Sequence, residues 1–255
     1  MIYKFYKKAG ETMGQMLASF KAEYNIAEAE KVTYSGRLDP LASGEVLLLT
    51  GEDVYKKDGF NKHDKIYKFT VMFGVATDTG DILGLPKKRS LFNKIFRTRI
   101  IPLTKNRITS AVKKFIKTFS QRYPAYSSYN INGVPLWQLA RDGKLPKHLP
   151  KNKVTIYDIQ VFDVYEKGSN EILTECQAKI KSVDGDFRQE WVGQGWDEVL
   201  NKNSNTDYKN NKEFIFADMR ATVSSGTYIR VLCEDIGKKL CTPALAYSIE
   251  REEIL

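Results

Sequence analysis

With 255 residues, 42% of them hydrophobic, and a net charge of +9, the chain can bury a substantial core and favours an anionic partner. Three cysteines (Cys176, Cys233, Cys241) without C-x-x-C spacing argue against a disulfide framework and for a reducing, cytoplasmic setting, and two distant histidines (His63, His148) argue against a histidine-based metal centre. No apolar run is long enough to cross a bilayer, and nothing behind the charges of MIYKFYKKAGET reads as a secretory signal.

In chain order, Ile2, Tyr3 and Phe5 predict a short strand that turns at Lys7-Lys8-Ala9-Gly10. Met16, Leu17, Phe20 and Tyr24 then share one face of a helix over about 13–24. Ser35 to Glu52, SGRLDPLASGEVLLLTGE, leads from a constrained loop into an apolar run, Val46 to Leu49, that reads as a buried strand. Pro40 pushes Asp39 away from helical dihedrals. A fixed carboxylate on a stiff loop above a core strand suits a reactive group, but the residues alone favour the plainer reading, an Asx-turn in which Asp39 caps its own backbone.

Tyr67, Phe69, Val71 and Phe73 alternate on one face of a strand over 66–73. Gly74 to Gly84, with Asp78 and Asp81 between glycines, is a loop that matches no full-length calcium site. From Ile82 through Arg141 there is no Asp or Glu, while 13 Lys and Arg fall in that interval. One-signed charge with interleaved aromatics suits a polyanion such as nucleic acid, the plainer reading being a lysine-rich solvated surface.

Ile108, Ala111, Val112, Phe115, Ile116 and Phe119 predict an amphipathic helix, and a short helix from Pro135 to Gly143 is expected to pack through Trp137, Leu139 and Ala140. Residues 153–165 and 171–180 read as two strands of a hairpin turning at Lys167-Gly168-Ser169-Asn170, whereas 184–196 fits no pattern. Phe214 to Val223 predicts another strand, and the stripe Ile229, Leu232, Cys233, Ile236, Leu240 a final helix. Arg230 falls in the first turns of that helix, where the dipole disfavours a cation unless an anion faces it. The sum is an α+β domain without a βαβ glycine fingerprint.

Five stretches in this order resemble the blocks of the TruB-type tRNA pseudouridine synthases. They are KKAGET, SGRLDPLASG with its LLLTGE, KIYKFTVMFGVATDTGD, PAYSSYNINGVPLWQLARDG and SSGTYIRVL. The resemblance implies a pseudouridine-synthase fold, with a mixed, mostly antiparallel central sheet and flanking helices. It implies isomerisation of a uridine in the T-loop of tRNA (position 55) to pseudouridine, with no cofactor and no metal. Asp39 matches the family's essential aspartate, as nucleophile or base, Tyr67 the tyrosine that packs against the target base, and Arg230 the arginine that pairs with the aspartate. Substrate binding is carried over to Lys7, Tyr34, Arg37, Leu38, Asp78, Asp81, Tyr126, Arg141 and Ile229.

The chain departs from the pattern where the family usually has histidine (here Tyr34), threonine (Arg37), proline (Lys8) and a central lysine (Asn130). Tyr34 can still stack on a flipped nucleotide, and Arg37 adds a phosphate contact. Most members continue into a small C-terminal RNA-binding domain. The expectation is therefore a single catalytic domain over 1–255 without a PUA-like domain, carrying a basic insertion or arm near 85–107 and an exposed loop near 201–212. It would act as a monomer and grip the T-arm of tRNA through the basic region 87–122. Two other functions are compatible with the residues: a non-catalytic RNA-binding or tRNA-folding protein on the same scaffold, and a single-carboxylate nucleoside hydrolase.

Overall fold

The computed structural model describes residues 1–87, 102–200 and 213–255. Most of the expected basic arm and the whole expected loop at 201–212 lie outside the described residues. Ten strands occur among those described: β1 (Ile2–Lys7), β2 (Val32–Ser35), β3 (Ser43–Thr50), β4 (Lys65–Phe73), β5 (Thr118–Arg122), β6 (Asn130–Ile131), β7 (Val134–Pro135), β8 (Lys151–Gly168), β9 (Glu213–Val223) and β10 (Ala244–Ile254). The main sheet runs β1-β3-β10-β4-β9-β8-β5, and β2 pairs with the edge of β3 that also meets β10. Its pairings are antiparallel except β3 with β10, where Ser43 faces Glu250 and Gly44 faces Arg251. This is the mixed, mostly antiparallel sheet and the α+β class expected.

Strand alternation assigns a core to each face. Tyr67, Phe69, Val71 and Phe73 of β4 join Met219 and Ala221 of β9 in one core, packed against Met16 and Phe20 of the Met13–Glu23 helix and Leu232 and Ile236 of the Ile229–Lys239 helix. The alternate residues Met72 and Phe216 face a second core beneath the helices Ser169–Ser182 and Gln189–Leu200. The first helix begins in a capping box, Thr12 with Gln15, which satisfies two amide groups that a helix end leaves without partners.

Several expected elements are corrected. Residues 171–180 are helical, because Ile172, Cys176 and Ile180 recur every fourth position and are all buried. Gly168 ends β8 and precedes that helix, so no hairpin turn forms there. The helix expected over 108–119 is Lys105–Val112, capped by the Thr104 hydroxyl and followed by one 3-10 turn over Lys113–Phe115. Its apolar stripe breaks at exposed Ile116, and Phe119 lies in β5, paired with Val154. Trp137 is exposed, and Leu136 anchors the Leu136–Arg141 helix instead. The unassigned stretch 184–196 leads into the Gln189–Leu200 helix, whose buried Trp196 donates from Nε1 to the Ile82 carbonyl at 2.9 Å. Strand β10, central to the sheet, was not expected at all.

These elements fix the loop that carries Asp39. Lys7, fully buried at the end of β1, donates from Nζ to the carbonyls of Lys8 (3.0 Å), Pro40 (2.9 Å) and Ala42 (2.7 Å). Arg251 of β10 donates to the carbonyls of Gly36 (2.8 Å) and Glu45 (2.6 Å). Where the loop enters β3, Gly44 takes φ +120°, and a Cβ there would lie 2.1 Å from the Arg251 carbonyl oxygen. No side chain fits.

Gly44→Ala is expected to cost about 3 kcal/mol of stability, read as a lower denaturant midpoint at unchanged m-value. Lys7 predicts a pH effect of definite sign. Burial lowers its ammonium to about 8, against the attraction of Glu11 and Asp39 and with the repulsion of Arg251. Between about 8 and the ordinary 10.5 the unfolded chain binds more protons, so Lys7's contribution to stability rises with pH across that window and is lost as pH falls through 8. Denaturant titrations from pH 8 to 10 should show wild type gaining stability relative to Lys7→Met.

Candidate active site

A cavity of about 690 Å³ opens over the Asp39 loop. Asp39 comes from the loop between β2 and β3, Tyr67 from β4, Asp81 from the loop after β4, and Arg230 from the first turn of the Ile229–Lys239 helix. All four line it.

Arg230 is the centre of the arrangement. Its Nε and Nη2 donate to the two carboxylate oxygens of Asp39 at 2.8 and 3.1 Å. Nη1 donates to the Thr79 carbonyl at 2.6 Å, and Nη2 also to the Tyr126 carbonyl at 3.0 Å. The Asp81 carboxylate lies 3.6 Å from Nε. The guanidinium is thus matched by two carboxylates and two carbonyls, which suits its fork of donors and offsets the unfavourable helix dipole. Burial works against its charge, but Asp39 and Asp81 outweigh burial and hold its pKa above the ordinary value.

The two acids are not equivalent. Asp81 is buried, accepting from the Thr79 hydroxyl (2.5 Å) and the Leu83 amide (3.0 Å). Burial raises its carboxyl above the usual range, with Arg230 pulling it down and Asp39 pushing it up. The side chain of Asp39 is 39% exposed, so one face of its carboxylate meets the cavity while Arg230 holds the other. The turn that carries it is closed by backbone, the Ala42 amide donating to the Asp39 carbonyl at 3.0 Å. The Asp39 carboxylate is therefore engaged by Arg230 rather than spent on an Asx-turn. A carboxylate fixed at two oxygens and open on one side can attack or take a proton without first reorienting.

Leu38, Tyr67 and Ile229 give the cavity an apolar wall, each less than a tenth exposed. Tyr67 belongs to the core and to the cavity wall together. Arg37, Tyr126 and Arg141 also line it. Lys7, Tyr34 and Asp78 lie outside the wall: Lys7 clamps the Asp39 loop, the Tyr34 ring lies 4.9 Å beneath the Lys57 ammonium, and Asp78 pairs with Arg188 at 2.8 and 3.3 Å.

Sequence reasoning missed Arg188, whose guanidinium lies 4.7 Å from the centroid of the Tyr126 ring, and Asp186, which holds Arg141 at 2.7 Å. The signal for them was indirect: Asp78 lacked an assigned counter-ion, and 184–196 carried charges that no pattern explained. Lys65 and Arg251 were missed too, although both line the cavity. Lys65 shares the parity of Tyr67 and Phe69, so a lysine on the apolar face of β4 was visible in the sequence.

Comparison with known proteins is consistent along the chain. Residues 24–181, more than half of it, match the family model described as TruB family pseudouridylate synthase (N terminal domain). The chain is 28% identical over 250 residues to tRNA pseudouridine synthase B of Clostridium perfringens, covering 98% of this chain and 65% of that protein. It is also 28% identical to tRNA pseudouridine synthase B of Endomicrobium trichonymphae (93% of this chain, 80% of that one) and to tRNA pseudouridine synthase 4 of Saccharomyces cerevisiae (82% and 57%). The fold matches a chain of a Cbf5-Nop10-Gar1 complex with a TM-score of 0.55 at 16% identity, covering 99% of this chain and 48% of that one. A chain of an H/ACA RNP bound to a substrate RNA containing 2'-deoxyuridine matches with a TM-score of 0.51, again at 16% identity (99% and 47%). The chain spans about two thirds of the Clostridium perfringens relative and less than half of these structural neighbours. By the reach of the family model, it belongs to the TruB family of pseudouridylate synthases.

Proposed function

We propose that the chain isomerises a specific uridine in the T-loop of tRNA to pseudouridine, with Asp39 as nucleophile or base. The observation that carries this reading is the Asp39 carboxylate, fixed at both oxygens by Arg230 and open on its far side to a cavity walled by Tyr67. The isomerisation breaks the N1–C1′ bond, turns the base, and forms a C5–C1′ bond as C5 loses and N1 gains a proton. Nothing is oxidised and no group leaves, so an oriented carboxylate beside C1′ or C2′ meets the chemical need. Arg230 keeps that carboxylate aimed.

The remaining roles follow from position. Tyr67 offers a surface to the base once it has left its stack. Leu38 and Ile229 exclude water around the sugar. Arg37, exposed on the rim, and Arg141, held by Asp186, are placed for phosphates. Asp81 supports Arg230 from behind, while Lys7 and Asp78 act through the Asp39 loop and Arg188 rather than on the RNA. The acid-free region from Ile82 to Arg141 supplies the long-range attraction. Among the described residues no helix is long and apolar enough to cross a membrane. Action as a monomer in the cytoplasm belongs to the same proposal.

Mapping pseudouridine at single-nucleotide resolution on an unmodified tRNA transcript tests the reading. Wild type should convert one T-loop uridine, and Asp39→Asn should lower the rate about 10⁴-fold or more while binding tRNA nearly as well. Product from Asp39→Asn, or none from wild type at low salt, overturns it. Arg230→Lys keeps the charge and loses the fork, so kcat should fall at least about 100-fold with KM little changed.

A further inference from the structure

Two buried cations share one part of the cavity wall, and among the described residues neither is paired with a carboxylate. Lys65 and Arg251 are 6% and 1% exposed. They converge on Gly36, where a built Cβ would lie 3.2 Å from Arg251 Nη1 and 3.7 Å from Lys65 Cε. Arg251 spends Nε and Nη2 on the carbonyls of Glu45 and Gly36, and Nη1 takes part in neither bond. Lys65 donates from Nζ to the carbonyls of His63 (2.5 Å) and Asn61 (3.3 Å), which leaves one of its three protons. Among the described residues neither cation forms an ion pair, whereas Arg230, equally buried, is matched by two carboxylates.

Backbone carbonyls offset only part of the cost of removing a charge from water, and a second like charge alongside adds to it. Burial and the repulsion of Arg251 lower the Lys65 ammonium to about 8; Asp64 opposes them, its carboxyl also engaged by the Tyr157 hydroxyl. A bound anion would supply the opposite charge that the carbonyls do not. The cavity volume, about 690 Å³, falls in the range of pockets that take whole ligands rather than single small groups, so a base does not exhaust it.

We propose that Lys65 and Arg251 form a phosphate subsite that takes one backbone phosphodiester flanking the uridine presented to Asp39. The subsite rests on the reading that the substrate is RNA, and it adds a function to Arg251, which otherwise braces the Asp39 loop, and to Lys65, which otherwise holds the carbonyls of Asn61 and His63. Because Arg251 also holds the Gly36 carbonyl, a phosphate bound here would draw on the same guanidinium that positions the loop before Asp39.

The test is a binding scan, independent of turnover. T-arm stem-loops, each with one phosphate replaced by an uncharged methylphosphonate, are titrated against wild type by fluorescence anisotropy. One position next to the target uridine should weaken binding roughly tenfold to a hundredfold. Lys65→Gln should bind the unmodified RNA correspondingly more weakly, lose sensitivity to that one replacement, and show a salt slope smaller by about one; Lys65→Arg should restore both. Wild type insensitive at every flanking phosphate overturns the subsite, whether or not the variants fold. So does undiminished sensitivity in folded Lys65→Gln. A wild type that shows the sensitive phosphate but makes no pseudouridine leaves the subsite standing and overturns the isomerase reading instead.

Discussion

Everything at the site turns on how one buried guanidinium is neutralised. Arg230 sits at the start of a helix, away from water, where both the dipole and the low dielectric oppose its charge. Two carboxylates and two carbonyls reverse that balance, and they come from three separate parts of the chain: the Asp39 loop, Thr79 and Asp81 of the loop after β4, and Tyr126. Moving any of them leaves a buried ion short of partners. The geometry of Asp39 is therefore fixed by the energetics of Arg230 more than by its own loop. An exposed carboxylate paired at the surface would be worth little, whereas this one is tied to a charge that has no other refuge.

The sheet makes that convergence possible. Asp39 and Arg230 are separated by 191 positions, and the segments bearing them approach because β10 lies between β3 and β4. Arg251 on β10 reaches back across the sheet to the backbone of the Asp39 loop, while Lys7 on β1 reaches it from the other edge of β3. Two cations thus grip one loop by its carbonyls. Gly44, the only residue type that fits against the β10 backbone there, completes the brace.

How much of this the sequence disclosed depended on range. Periodicity resolved strands such as β4 and helices such as 229–239, whose faces alternate or recur without interruption. It failed at 171–180, where polar residues between Ile172, Cys176 and Ile180 could be read with either period. It failed on β10, whose register shifts at Ala246/Ser248 and Arg251/Glu253 erase the alternation a strand should display. The family resemblance supplied Asp39, Tyr67 and Arg230, which short-range patterning left ambiguous. Arg188, Asp186 and Arg251 became legible only in three dimensions, because their partners are remote in sequence.

The parallel pairing of β3 with β10 carries a consequence for how the molecule comes into being. Strands β3 and β4 are close in sequence yet stand apart in the sheet, with residues 244–254 inserted between them. As the ribosome extends the chain, the Asp39 loop and β4 emerge early, but the strand that joins them emerges some 170 residues later. Until then the sheet is split, two strand edges stay open, and the loop lacks its Arg251 clamp. Reactive geometry is thereby deferred until residues 244–254 are in place.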